Sequence, residues 1–196
     1  GMFIDALSQE SAPAILESSA LQREFGRYSL FACRPLSVLE VRDGTLFDDM
    51  GTPLAKESAV LWAKLDEILT HIHLTASTHT LPYVPGWIGY VSYEMGRTIE
   101  RLPAQALRDT ALPDLRLALY DALLIFDALE RNWTLAELDF NTPPAQAGEA
   151  GMALRRCLAQ ASCCTDPPPA PTEQADARHR PADISAVSNF TPRSEE

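Results

Sequence analysis

The sequence predicts an α+β fold in which antiparallel strands dominate and two long helices pack on them. Short apolar stretches with period-two alternation recur along the chain, and tight turns join most of them. Two amphipathic stretches of helical period stand apart from these strands. Parallel βαβ units are not expected, because consecutive strands lie too close in sequence for helical crossovers. With 196 residues, 46% of them hydrophobic, the chain can bury one ordinary core and carry a tail.

Ala14-Ile15-Leu16-Glu17-Ser18 is a short apolar run closing on polar residues, and it reads as a strand end. Gly26 to Cys33 alternates, with Tyr28, Leu30 and Ala32 on one face and Arg27, Ser29 and Phe31 on the other. Leu36 to Arg42 alternates again, Asp43-Gly44 suits a hairpin turn, and Thr45-Leu46-Phe47 returns, so this region is expected to form one antiparallel meander. Lys56 to His73 has Leu61, Leu65, Ile68 and Ile72 at helical intervals, while Lys56, Lys64, Asp66 and Glu67 form a solvated face. From Pro113 a long hairpin is expected. Leu115, Leu117 and Leu119 alternate, and Ala122 to Phe126 is continuously apolar, as in a strand covered on both faces. Glu130-Arg131-Asn132 makes the turn and Trp133 to Phe140 returns. Pro143-Pro144 then leads into a helix over Gln146 to Ala161, striped by Leu154, Leu158 and Ala161.

Beyond Cys163 the composition shifts to proline, alanine and charged residues, including Pro167-Pro168-Pro169, which suits a linker. Ser188 to Glu196 then carries helix-start signals: Thr191 as a cap, Pro192 at the first helical position, acids in the first turn. The expected organisation is a domain over 1–162, a linker over 163–187, and over 188–196 the start of a further, truncated domain.

The formal charge of -11 and pI near 4.8 argue against nucleic-acid binding, which needs a basic face. No apolar run reaches the length of a membrane span, since Arg116, Asp121 and Asp127 interrupt the longest. Asp5 and Glu10 stand where a signal peptide would be basic and then apolar, so a cytoplasmic location is expected. Cys33, Cys157, Cys163 and Cys164 have no metal-ligand spacing, and His71 and His73 point to different faces of a helix. Reduced thiols and no bound metal are expected.

The most specific stretch is Pro85-Gly86-Trp87-Ile88-Gly89-Tyr90-Val91-Ser92-Tyr93-Glu94-Met95-Gly96-Arg97, running on to Pro103. It reads as a strand to about Tyr93, with Gly86 and Gly89 where another backbone comes close. Helical turns follow, with Met95 and Ile99 on one face. The segment resembles G-[WY]-x-G-Y-x-[SG]-Y-[ED]-x-x-R of component I of aminodeoxychorismate synthase and anthranilate synthase. Leu16-Glu17-Ser18, Gly26-Arg27-Tyr28-Ser29, the Leu115–Asp127 strand and the Ser188-Asn189-Phe190-Thr191 end fall in the same family order. Glu94 followed by Gly96 is more similar to the aminodeoxychorismate synthases.

The resemblance implies the N-terminal portion of the component I fold and, for the full protein, amination of chorismate at C4. A glutaminase subunit (component II) supplies ammonia there, Mg²⁺ holds the carboxylates, and in many members a lysine attacks the ring. This chain has two lysines, Lys56 and Lys64, both on the polar helix face, so by itself it is expected to be non-catalytic. The resemblance also implies a pocket for an aromatic amino acid, usually tryptophan, lined by Leu16, Ser18, Phe25 and Arg27, with Glu17 pointing the other way. Read without the resemblance, Ser18 caps a turn and Arg27 pairs with a surface acid. Two further readings stay open: the tryptophan-binding regulatory domain of anthranilate synthase component I, and a ligand-free interaction module.

Overall fold

The computed structural model describes residues 2–18, 26–71, 81–100 and 111–162. Two antiparallel sheets organise them. The first is four-stranded, in the order β1 (Ala14–Leu16), β2 (Tyr28–Ala32), β8 (Ala122–Asp127), β9 (Asn132–Glu137). The second is five-stranded, in the order β5 (Pro53–Ala55), β4 (Thr45–Phe47), β3 (Ser37–Arg42), β7 (Leu115–Leu119), β6 (Trp87–Val91). Three α-helices, α1 (Met2–Leu7), α2 (Ser58–Thr70) and α3 (Glu149–Ser162), accompany them. Every strand pairing is antiparallel, as the sequence predicts.

Strand alternation sorts the side chains into three apolar layers. Leu30, Ala32, Leu123, Ile125 and Ala136 of the four-stranded sheet meet Val38, Ile88 and Ala118 of the five-stranded one, so the sheets pack face to face. On the far side of the first sheet, Phe31, Ala122 and Leu124 pack against Leu7 of α1 and Ala150, Ala153 and Leu154 of α3. On the far side of the second, Leu39, Val41, Leu46 and Leu115 meet Leu61 and Leu65 of α2. The order is therefore helices, sheet, sheet, helix. β8 sits between helix and sheet, which is why Ala122 to Ile125 is apolar without a break and no more than 2% exposed. Burial of each of Leu123, Leu124 and Ile125 contributes about 1.5–3 kcal/mol of transfer free energy.

The structure corrects several expectations. β2 does not join β3 in a meander: Cys33 to Leu36 carries the chain from one sheet to the other, and the meander is β3-β4-β5. The run from Leu115 to Phe126 is likewise no single hairpin arm. It breaks at Tyr120-Asp121, leaving β7 in one sheet and β8 in the other. Period-two alternation reports a covered face without naming the element that covers it, so neither switch was visible. α2 is shorter than Lys56 to His73 at its start, and Ile72 and His73 lie outside the described residues. α3 begins at Glu149, three residues late, because Gly148 has a positive φ of 83° and cannot continue a helix. β9 spans Asn132–Glu137 and stops short of Phe140. After β6 the chain forms a 3-10 helix, Tyr93–Thr98, so Met95 is 2% exposed while Ile99 is 74% exposed. At three residues per turn, positions four apart no longer share a face. Pro103, the linker over 163–187 and the 188–196 segment lie outside the described residues.

Asp43 and Gly44 both have positive φ, 48° and 71°, the backbone that a two-residue hairpin between β3 and β4 requires. Gly89 is the other glycine with a definite task. It pairs with Leu117 across β6 and β7, and a Cβ there would lie 1.8 Å from the Arg116 carbonyl oxygen. Gly86, expected to play the same part, has open space around it. Gly89→Ala should therefore destabilise the fold by about 3 kcal/mol or more, and Gly86→Ala by about 0.5 kcal/mol or less. Urea unfolding of the two variants beside the wild type checks the contrast.

Candidate functional site

Three segments converge at one end of the four-stranded sheet. β1 and β2 are antiparallel with Leu16 opposite Leu30, so Glu17 and Ser18 run on toward the start of β2. On the other side of β2, Tyr28 is opposite Asp127, the last residue of β8. The register thus places Leu16, Ser18 and Arg27 at this same end of the sheet, while Phe25 lies outside the described residues. Leu16 is 48% exposed. The Ser18 amide donates to the hydroxyl of Ser29, a buried residue, at 3.4 Å. The Arg27 guanidinium lies 5.0 Å from the Tyr28 ring centroid, and Tyr83 meets Tyr28 edge-on at 5.7 Å. Tyrosine faces, an aliphatic side chain and a cation are groups that can hold an aromatic ring with a charged end.

The charge arrangement is the part that sequence reasoning missed. Arg27 forms a two-point pair with Asp127: Nε donates to Oδ1 and Oδ2, both at 3.0 Å, and Nη2 donates to Oδ2 at 2.6 Å. Glu130 Oε1 stands 3.9 Å from Nη2. Asp127 Oδ1 also accepts the amides of Leu129, at 3.0 Å, and Glu130, at 3.1 Å, which shapes the β8–β9 turn. The Arg27 hydrogen bonds, with help from these two amides, hold the Asp127 carboxyl below its usual range against the opposing effect of burial. The same pair raises the Arg27 guanidinium further. Arg27 thus pairs with an acid, as the reading without a ligand expected, though this acid is largely covered at 10% side-chain exposure. Asp127 lies 100 residues from Arg27 in sequence, and nothing in the local pattern links them. The one signal was a lone acid closing a continuous apolar strand.

Among the described residues this end of the sheet shows no activated nucleophile. Lys64 is on α2, where Nζ pairs with Glu67 Oε1 at 2.8 Å. Burial, foremost, pushes the Cys33 thiol up to about 12, far from a reactive thiolate, and Cys157 is likewise buried and free. Among the described residues no group of three His, Cys, Asp or Glu side chains could hold a metal ion. A shallow groove of about 590 Å³ lies elsewhere, at β4, β5 and the start of α2, lined by Phe47, Leu54, Lys56 and Val60 among others. Among the described residues no helix is long and apolar enough to cross a membrane.

With the geometry in place, comparison with known proteins defines the class. Residues 17–188 match the family described as chorismate binding enzyme, and the chain belongs to that family. It is 27% identical over 138 residues to aminodeoxychorismate synthase component 1 of Klebsiella aerogenes, an alignment covering 70% of this chain and 31% of that protein. It is 32% identical over 124 residues to an anthranilate synthase component 1 of Haloarcula marismortui, covering 58% of this chain and 25% of that one. The fold is similar to the crystal structure of anthranilate synthase component I from Streptococcus pneumoniae. The TM-score there is 0.54 at 21% identity, with 76% of this chain and 32% of that chain covered. The chain therefore spans about a third or less of the length of these relatives.

The Arg27–Asp127 pair gives a pH dependence of definite sign. A carboxyl held low in the folded state adds stability above its unfolded pKa and loses it as the pH falls through the folded value. Wild-type stability should therefore decline on acidification below about pH 4, the ordinary carboxyl range. In Asp127→Asn that part of the decline should be absent, with lower stability at neutral pH. Chemical unfolding of both proteins between pH 2 and 7, in steps of about half a unit, measures it.

Proposed function

We propose that this chain is the non-catalytic N-terminal part of a chorismate-aminating component I of the aminodeoxychorismate synthase type. The reaction of the full protein would place an amino group at C4 of chorismate, toward para-aminobenzoate and folate. The observation that carries the reading is the ordered set of family segments, Leu16-Glu17-Ser18, Gly26 to Ser29 and Gly86 to Arg97, in a chain aligned to relatives named aminodeoxychorismate synthase component 1. Glu94 with Gly96 supports this type over the anthranilate type. The non-catalytic role rests on Lys56 and Lys64. One stands at the β5–α2 junction, and the other is occupied by Glu67 on a solvated helix face. Mg²⁺ and the attacking lysine would belong to a separate chorismate-binding domain, and a component II glutaminase would supply ammonia.

In this reading the end of the four-stranded sheet takes an aromatic amino acid such as tryptophan. Leu16 and Phe25 would line the ring, while Ser18 and Arg27 would meet the polar end. A second reading, the regulatory domain of an anthranilate synthase component I, is supported by the Haloarcula relative.

The chain 1–196 should form no product from chorismate with Mg²⁺ and ammonia, or with glutamine and component II. The polypeptide of the complete reading frame should yield 4-amino-4-deoxychorismate under the same conditions. Anthranilate as its product would favour the second reading, and product from 1–196 alone would end the non-catalytic one. Chromatography against authentic standards separates these outcomes.

Tryptophan binding to 1–196 is expected to be weak, about millimolar or roughly 4 kcal/mol. Calorimetry should show it weakened further in Ser18→Ala. Equal affinity in the two proteins would remove Ser18 from the site.

A further inference from the structure

The fork of Arg27 is already filled by a carboxylate, and that carboxylate belongs to the chain. Nε and Nη2 both face Asp127, the two-point geometry by which guanidinium groups recognise free carboxylates. Among the described residues Nη1 has no partner. We propose that Asp127 is an internal stand-in for the carboxylate of an amino-acid ligand, holding the Arg27 fork in the unliganded chain and giving it up when that ligand binds. This rests on the reading that the β1–β2 end takes an amino acid, and it adds how binding there is held in check.

Each partner can survive the exchange. Asp127 keeps the amides of Leu129 and Glu130 on Oδ1, so releasing Arg27 does not strand a bare carboxylate. Arg27 keeps the face of Tyr28, 5.0 Å away, and its side chain is 35% exposed, within reach of an arriving anion. Glu130, 3.9 Å from Nη2, adds a second negative charge beside the fork and further disfavours an incoming carboxylate. Exchanging one carboxylate for another is nearly balanced, so Arg27 contributes little to affinity while Asp127 is charged. A site that is open a tenth of the time binds about tenfold more weakly than one always open. Asp127→Asn removes the competing charge. It retains an oxygen for the Leu129 and Glu130 amides, so the turn can keep its shape.

The test compares tryptophan with tryptamine, which lacks the carboxylate, on chain 1–196. Calorimetry should show Asp127→Asn binding tryptophan about tenfold more tightly than wild type, with tryptamine unchanged. The gain should vanish when Arg27→Ala is added. A second measurement needs no substitution: the Arg27 Nε–H resonance of the wild-type chain should move on adding tryptophan and stay in place on adding tryptamine. Tryptophan binding that Ser18→Ala weakens but Asp127→Asn leaves unchanged, with a stationary Nε–H resonance, overturns the proposal and spares the site. Absence of binding by either compound to any of the chains removes the site and the proposal together. If Asp127→Asn fails to fold, the wild-type resonance decides alone.

Discussion

The corner at Tyr120-Asp121 ties the two sheets into one body. β7 and β8 are nearly continuous in sequence, yet each is an interior strand of a different sheet, so the chain must turn inside the core, where its backbone polar groups need partners. It does so by connecting outward in several directions, even though Asp121 Oδ1 is buried there with no partner among the described residues. The Tyr120 amide donates to the Gly86 carbonyl at 2.9 Å, and its hydroxyl donates to the Ala12 carbonyl at 2.8 Å, which joins the start of β6 to the approach to β1. Burial raises the Tyr120 hydroxyl pKa, so it remains a neutral donor through the physiological range. Asp121 accepts the Leu138 amide on its carbonyl at 2.8 Å and the Gly148 amide on Oδ2 at 2.7 Å, fixing the end of β9 and the lead into α3. The corner has little freedom to move.

From that corner the layers follow. With β7 and β8 anchored back to back, their inner faces bury Ala118, Leu123 and Ile125 together, and their outer faces each need a cover. α2 covers one; α1 and α3 cover the other. Ion pairs fasten the outer layer on the α3 side. Glu10 accepts from Arg34 Nε at 2.6 Å and from Arg156 of α3 at 3.0 Å, and Arg34 also reaches Glu149 at 3.3 Å. These groups are partly solvated, so they set the helix position more than they add stability.

Local signals were legible and long-range ones were not. The Asp43-Gly44 turn, the double burial of Ala122 to Ile125 and the backbone contact at Gly89 were each readable, because a turn, a continuous apolar run and a missing Cβ state their needs within a few residues. The passage of β2 into one sheet and β3 into the other was not readable, since both strands alternate alike. β5, only Pro53 to Ala55, and α1, only Met2 to Leu7, are too short to show a period. At the candidate site, Leu16, Ser18 and Arg27 came from family resemblance. Asp127 and Tyr83 needed the fold to bring them beside Arg27 and Tyr28.

The Arg27–Asp127 pair also says something about how the molecule is made. Its two ends are 100 residues apart. Closing so long a loop costs entropy that grows slowly with length, about 0.6 kcal/mol for each doubling, and it must be met before the contact returns anything. The β3–β4 and β8–β9 hairpins close over a few residues and can form as soon as the chain collapses. β2 must instead wait for β8, so the β1–β2 end belongs to the slow, high-contact-order part of folding. The β1–β2 end is thus among the last parts of the fold to appear, assembled on hairpins already in place.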